Sequence, residues 1–180
     1  MKHYNTVLTI AGSDCSGGAG IQADIKAISA LGGYAASAIT AVTVQNTVGV
    51  TAVHPVPADI VEGQIRAVLD DIGAKAIKIG MLQSADIVHL IARLIKEYDI
   101  RNVVLDPVMV STSGHRLIEE TAISALQTEL IPLTRVITPN IPEAEILAGM
   151  KIENAEDIKA AATAICKLGC RYVLIKGGHF

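Results

Sequence analysis

The chain has 180 residues, is 51% hydrophobic and carries a formal charge of -3, which fits one domain with a sizeable buried core. It contains no cluster of Lys or Arg, so nucleic acid and anionic lipid have no electrostatic handle on it. Its cysteines, Cys15, Cys166 and Cys170, are an odd set with no paired CxxC and no adjacent histidines, which argues against a disulfide framework and a zinc site and implies a reducing compartment.

In chain order the elements alternate. An apolar run at 6–11 feeds the stretch GSDCSGGAGIQAD, residues 12–24, which packs four glycines and two aspartates into thirteen positions ahead of the helical pattern IKAISAL. Glycine has no Cβ and lets a ligand approach the main chain, so the stretch reads as a binding loop. Further strands are predicted at 36–44, 49–53, 75–79, 102–106, 134–138 and 172–176. Between them run helical patterns. The clearest is 84–98, where Ile87, Val88, Leu90, Ile91, Leu94 and Ile95 recur at helical spacing behind the N-cap candidate Ser84. Another is 57–71, opened by Pro57 with Asp59 and Glu62 early in it, which suits the helix dipole. Strands without polar alternation, interleaved with helices, predict a mostly parallel sheet covered on both faces. No repeat, linker or low-complexity segment divides the chain. The opening MKHYNTVLTIAGSD has too short an apolar run for a signal or transit peptide, and YAASAITAVTV at 34–44 is too short and too rich in Ser and Thr to span a bilayer. The expected location is the cytoplasm.

Ligands of such sheets bind outside the carboxyl ends of the strands, so the residues just after each strand carry the chemistry. Here they are the glycine loop, Gln45 in VQNT, Met81 in KIGML, Asp106 in DPVMVSTSG, Asn140 and Glu143 in TPNIPEAE, and Lys176 in KGGHF. Two nucleotide motifs fail on inspection. Gly18, Gly20 and Ala23 fit GxGxxA, but no Asp or Glu lies between Ile25 and Ala58 to hold ribose hydroxyls. A Walker A loop needs Gly-Lys-Ser/Thr, and the chain has no Gly-Lys dipeptide.

The blocks TIAGSDCSGGAGIQADIKAISALGGY, AVTVQNTVGV, KIGML, VVLDPVMVSTSG, ITPNIPEAEILAG and VLIKGGH, in this order and spacing, resemble the hydroxymethylpyrimidine/phosphomethylpyrimidine kinases of thiamine biosynthesis, in the ribokinase-like superfamily. The resemblance runs from Thr9 to His179. It implies a three-layer α/β/α sandwich with a mostly parallel central sheet. It also implies ATP-dependent, magnesium-dependent phosphorylation of 4-amino-5-hydroxymethyl-2-methylpyrimidine and then of its monophosphate. The expected assembly is a homodimer, without nucleic acid or membrane partners. Two alternatives stay open: a pyridoxal/pyridoxine kinase of the same superfamily, and a noncatalytic pyrimidine-binding module.

With that substrate in hand the residues acquire roles. An aminopyrimidine shows a ring acceptor beside an amino donor, and the Gln45 carboxamide can complement both. The resemblance places Gly12 and Asp24 in the same pocket, the Thr43 main chain at the ring edge, and Met81 and Val108 on the ring. Met81 also reads as an ordinary core methionine, and Asp24 as a first-turn carboxylate serving the helix dipole. Asn140 and Glu143 form the NxxE element that the superfamily uses near magnesium and the phosphates, Glu143 through bound water. The same two residues also read as a helix start signal. Asp106 is a metal-side carboxylate by resemblance, or else a buried polar residue at a strand end. Lys176 is assigned to phosphate, against the alternative of a lysine snorkelling at a strand terminus. Of the five histidines only His115, beside STSG, stands near a loop expected at the phosphates. Kinases of this family place the anion hole, the catalytic base and the adenine pocket on a later glycine-rich segment and the helices after it. No match to that segment occurs in these 180 residues, so the resemblance covers about the N-terminal two thirds of the expected enzyme, with the base expected outside this chain.

Overall fold

The computed structural model describes residues 4–109 and 118–177. Seven strands form one sheet in the order β3-β2-β1-β4-β5-β6-β7, comprising β1 (Thr6–Asp14), β2 (Tyr34–Gln45), β3 (Val50–Pro55), β4 (Ala76–Ile79), β5 (Val103–Leu105), β6 (Val136–Ile137) and β7 (Tyr172–Val173). Every pairing is parallel except that of β2 with β3. Six α-helices occur among the described residues: α1 (Gly20–Ala30), α2 (Ala58–Asp71), α3 (Ala85–Glu97), α4 (Glu120–Ala125), α5 (Ile141–Ala148) and α6 (Ala155–Cys166). None is long and apolar enough to cross a membrane.

The seven predicted strands are all present, with shifted ends. β1 runs past Ala11 to Asp14, because a bulge that sets Thr40 and Ala41 of β2 opposite Gly12 lets pairing with β2 continue to Thr43. Hence Gly12, Ser13 and Asp14 belong to the strand and not to the loop. The predicted tails at 102–106, 134–138 and 172–176 shrink to β5, β6 and β7, which leaves Asp106 directly after β5 and Lys176 past β7 in an isolated bridge. Ser84 stands at the N-cap of α3, but its side chain makes no capping bond. The apolar stripe of α3 instead holds the helix, with Ile87, Val88, Leu90, Ile91, Leu94 and Ile95 all buried.

Leu8, Ile10, Ile77, Ile79, Val103, Leu105 and Ile137 meet the apolar faces of α2, α3, α5 and α6 in one core. Ile21 of α1 is buried but stands outside that cluster, as expected if α1 covers the opposite face. Right-handed crossovers give the same answer, since β1 to β2 runs one way along the sheet and β4 to β7 runs the other. The direction reverses between β1 and β4. A crevice opens at such a switch point, outside the carboxyl ends of those two strands.

Candidate active site

A cleft of about 370 Å³ lies at this switch point. Gly12, Asp24, Thr43, Gln45, Met81, Val108 and Asp106 all line it, so the structure brings together every residue expected at the pyrimidine and one expected at the metal. Two glycines shape its floor. A Cβ on Gly12 would stand 2.8 Å from Met81 Cε, and one on Gly20, at φ +56°, would stand 2.2 Å from the Gly12 carbonyl oxygen. At residue 20 backbone therefore passes where a side chain cannot, whereas at residue 12 the tip of Met81 would have to move.

The glycine loop is held by a carboxylate of its own chain. Asp14 accepts the Ser16 amide and hydroxyl, both at 2.8 Å, on Oδ1, and the amides of Gly18 at 3.0 Å and Ala19 at 2.8 Å on Oδ2. Burial pushes this carboxyl up, but the bonds from Ser16, Ala19 and Gly18 outweigh it and hold it below the usual carboxylate range. Amides that a phosphate-binding loop would turn to its ligand are thus already taken.

Gln45 ends β2, where its amide oxygen and the Ser13 carbonyl share the Thr43 hydroxyl at 3.2 and 2.9 Å. That leaves the Gln45 amide nitrogen to donate. Asp24 sits on the fifth residue of α1, which has no acidic residue in its first turn, so the dipole reading of this carboxylate is corrected. The reason is that α1 begins at Gly20, earlier than the apolar pattern suggested. Its Oδ2 accepts both the Thr9 hydroxyl at 2.6 Å and the Lys78 ammonium at 2.9 Å. Lys78 also lines the cleft, and the sequence reading missed it together with Asp14 and Thr9. A lysine inside the apolar run AIKI was the available signal.

Asp106, Lys176, Asn140 and Glu143 form a second group beside the cleft. Lys176 pairs with Asp106, which also accepts the Thr138 hydroxyl at 3.2 Å. Asn140 bridges Lys176 in parallel register. Asn140 and Glu143 form a reciprocal capping box on α5, with bonds of 2.8 and 2.9 Å, so the helix-start reading is realised in full. The other Glu143 oxygen accepts the Met109 amide at 3.4 Å, which ties α5 to the segment after β5. His54 and His89 lie off the cleft, whereas His3, His115 and His179 fall outside the described residues.

Burial raises the Glu143 carboxyl above its usual range, with the Asn140 amide and the Lys176 charge opposing the rise and the Asp106 charge adding to it. A carboxyl raised on folding contributes stability that is fully present below its unfolded pKa and lost as pH climbs through the folded value. Wild type should therefore lose stability relative to Glu143→Gln as pH rises from about 4 to 7, on top of a constant loss from the missing acceptor. Urea titrations of both across that range check this; a relative gain would show that the ionised form is the one favoured.

A mostly parallel sheet, a cleft at its switch point and an acid–lysine pair on the adjoining strand ends define an α/β protein of the doubly wound class. The sequence model of the family described as "Phosphomethylpyrimidine kinase" matches residues 14–180, and the chain belongs to that family. It is 49% identical over 172 residues to a Bacillus subtilis hydroxymethylpyrimidine/phosphomethylpyrimidine kinase, covering 96% of this chain and 64% of that protein. A crystal structure of phosphomethylpyrimidine kinase from Clostridium difficile 630 superposes with a TM-score of 0.91 at 50% identity, covering 98% of this chain and 76% of that one. The ADP complex of Bacillus subtilis pyridoxal kinase superposes with a TM-score of 0.89 at 41% identity, covering 98% and 67%. The ribokinase-like α/β fold is thereby established. The chain spans 64% of the Bacillus subtilis relative and 66% of a Haemophilus influenzae one, but only 36% of a bifunctional thiamine biosynthesis protein of Geobacter sulfurreducens.

Proposed function

We propose that the chain carries the substrate half of an ATP-dependent kinase for 4-amino-5-hydroxymethyl-2-methylpyrimidine and its monophosphate. The observation that carries this reading is the convergence of Gln45, Asp24, Met81, Val108 and Gly12 on one cleft, with the Asp106–Lys176 pair next to it. Met81 and Val108 give the ring an apolar seat. The Gln45 amide nitrogen offers a donor to a ring nitrogen, and Asp24 offers an acceptor to a substrate N–H or O–H.

Phosphoryl transfer depends on positioning and on stabilising charge at the transferred group. Lys176 and Asp106 neutralise each other in this structure. With ATP and magnesium bound, Lys176 would hold a phosphate oxygen and Asp106 the metal. Magnesium keeps much of its water and takes only one or two protein carboxylates beside phosphate oxygens, so it fits a site with Asp106 directly and Glu143 behind water. Among the described residues no larger cluster of metal-ligating side chains is present. When bound, the metal would withdraw charge from the phosphate oxygens. The assembly we propose is a homodimer, for which the exposed Val42, Val44 and Val48 offer an apolar face on the β2–β3 ribbon.

Gln45→Ala leaves the pyrimidine edge unpaired and is expected to cost about 1–3 kcal/mol of pyrimidine binding, measured by calorimetry. Unchanged affinity would sink the pocket assignment. The likeness to pyridoxal kinase supports a second reading. Parallel titration with pyridoxal decides between them, and tighter pyridoxal binding would favour that alternative.

A further inference from the structure

We propose that Lys78 is a positioning residue for ligand recognition: with Thr9 it fixes the Asp24 carboxylate so that one oxygen is turned over to a hydrogen-bond donor of the substrate. This rests on the reading of the cleft as a pyrimidine site. β4 lies inside the sheet, with Lys78 paired to Thr9 of β1 on one side and Val104 of β5 on the other. A cation placed there has lost much of its water and needs a partner. Asp24 of α1 reaches down to supply it. As a source of stability the pair would be a poor choice, since apolar residues in place of a buried ion pair often serve as well or better.

The geometry gives the pair a different use. Both bonds, from the Thr9 hydroxyl at 2.6 Å and the Lys78 ammonium at 2.9 Å, fall on Oδ2 of Asp24. Among the described residues none donates to Oδ1, and Asp24 lines the cleft. Two donors on one oxygen fix the carboxylate's rotation and leave the other oxygen for a ligand. Room for the ammonium is provided by the strand itself. A Cβ on Gly80 would stand 3.1 Å from Lys78 Nζ and 2.9 Å from Ala11 Cβ, so the lysine lies along β4 toward the carboxyl edge over a glycine. Because Asp24 and Lys78 cancel in net charge, what remains is a directed acceptor. The substrate has two groups able to meet it, the ring amino group and the hydroxymethyl hydroxyl.

The test is calorimetric titration of the 180-residue chain with 4-amino-5-hydroxymethyl-2-methylpyrimidine, with the same ring lacking the amino group, and with the same ring lacking the hydroxyl. Lys78→Met keeps the stem and removes the ammonium, and is expected to weaken the intact ligand about tenfold or more. It should barely affect whichever truncated ring lacks the donor that meets Asp24. Lys78→Arg should bind the intact ligand within about threefold of wild type, because it restores a cation. Equal weakening of all three ligands by Lys78→Met, or no weakening, overturns the inference while leaving the cleft as the pyrimidine site. Failure of wild type to bind any of the rings overturns the underlying reading as well. If the Met variant does not fold, Thr9→Val removes the other bond to Oδ2 and must show the same ligand-selective loss, or the inference falls.

Discussion

Supplied with magnesium, ATP and 4-amino-5-hydroxymethyl-2-methylpyrimidine, the 180-residue chain is expected to turn over at least about 10³-fold more slowly than the Bacillus subtilis relative assayed beside it. Binding of the pyrimidine should nevertheless stay within about tenfold of that relative, because the residues proposed to hold the ring are already together. The reason for slow turnover lies in what the carboxylates near the cleft are doing. Asp14 is held by loop amides, Asp24 by Lys78 and Thr9, Asp106 by Lys176, and Glu143 by two backbone amides. Among the described residues only Asp24 keeps an oxygen free for a substrate donor, and that oxygen is proposed to hold the ligand and not to take its proton. Losing a positioned base costs roughly 10² to 10⁴ in rate, and losing an oxyanion-hole donor about 10² to 10³. We therefore propose that the base and the anion hole are not among the described residues. Steady-state rates for the two proteins side by side decide the matter. Comparable turnover would mean that one of these four carboxylates leaves its partner and acts as the base.

The largest loss of stability is expected from Gly20→Ala. An alanine at φ +56° is strained by about 1–2 kcal/mol, and its Cβ would also stand 2.2 Å from the Gly12 carbonyl oxygen, a backbone atom that cannot swing away. Together these should destabilise the chain by at least about 3 kcal/mol, or lower the unfolding midpoint by roughly 6–12 °C. Gly17→Ala is the control. Its φ of +79° is strained too, but the nearest atom is the tip of a flexible lysine, Lys26 Nζ, at 3.0 Å, so the loss should stay near about 1 kcal/mol. Thermal unfolding of both variants tests the comparison, and equal losses would show that the close approach of residues 12 and 20 does not govern this turn.

The strands were legible because a sheet buried on both faces writes itself as apolar runs, and TVLTIA or VVL needs no alternation to be read. Their ends were not, because a strand stops where its neighbour stops offering hydrogen bonds, and the continuation of β1 to Asp14 depends on a bulge against β2. The start of α1 was hidden for a different reason. Among residues 20–24 only Ile21 is large and apolar, and one residue makes no period, so the pattern emerges at Ile25 although the helix begins at Gly20. That error in turn gave Asp24 the wrong alternative role. Gln45, Met81, Asp106 and Lys176 could be placed because they follow predicted strands, and the end of a parallel strand is a location that sequence order supplies. Lys78 could not be placed this way. Its meaning comes from which face of β4 it occupies and from a carboxylate 54 residues away in sequence, and both are set by pairing across the sheet.

Lys78 also has a consequence for how the sheet assembles. Side chains alternate along a strand, so sliding β4 by one residue against β1 would turn the ammonium from Asp24 into the layer occupied by Leu8, Ile10, Ile77 and Ile79. An unpaired charge there is far more costly than a displaced isoleucine. A four-residue strand made only of aliphatic residues would have several nearly equivalent alignments, whereas AIKI has one that keeps its cation out of oil. The lysine thus acts as a proofreader of the chain's own alignment, rejecting misregistered sheets before any ligand is present.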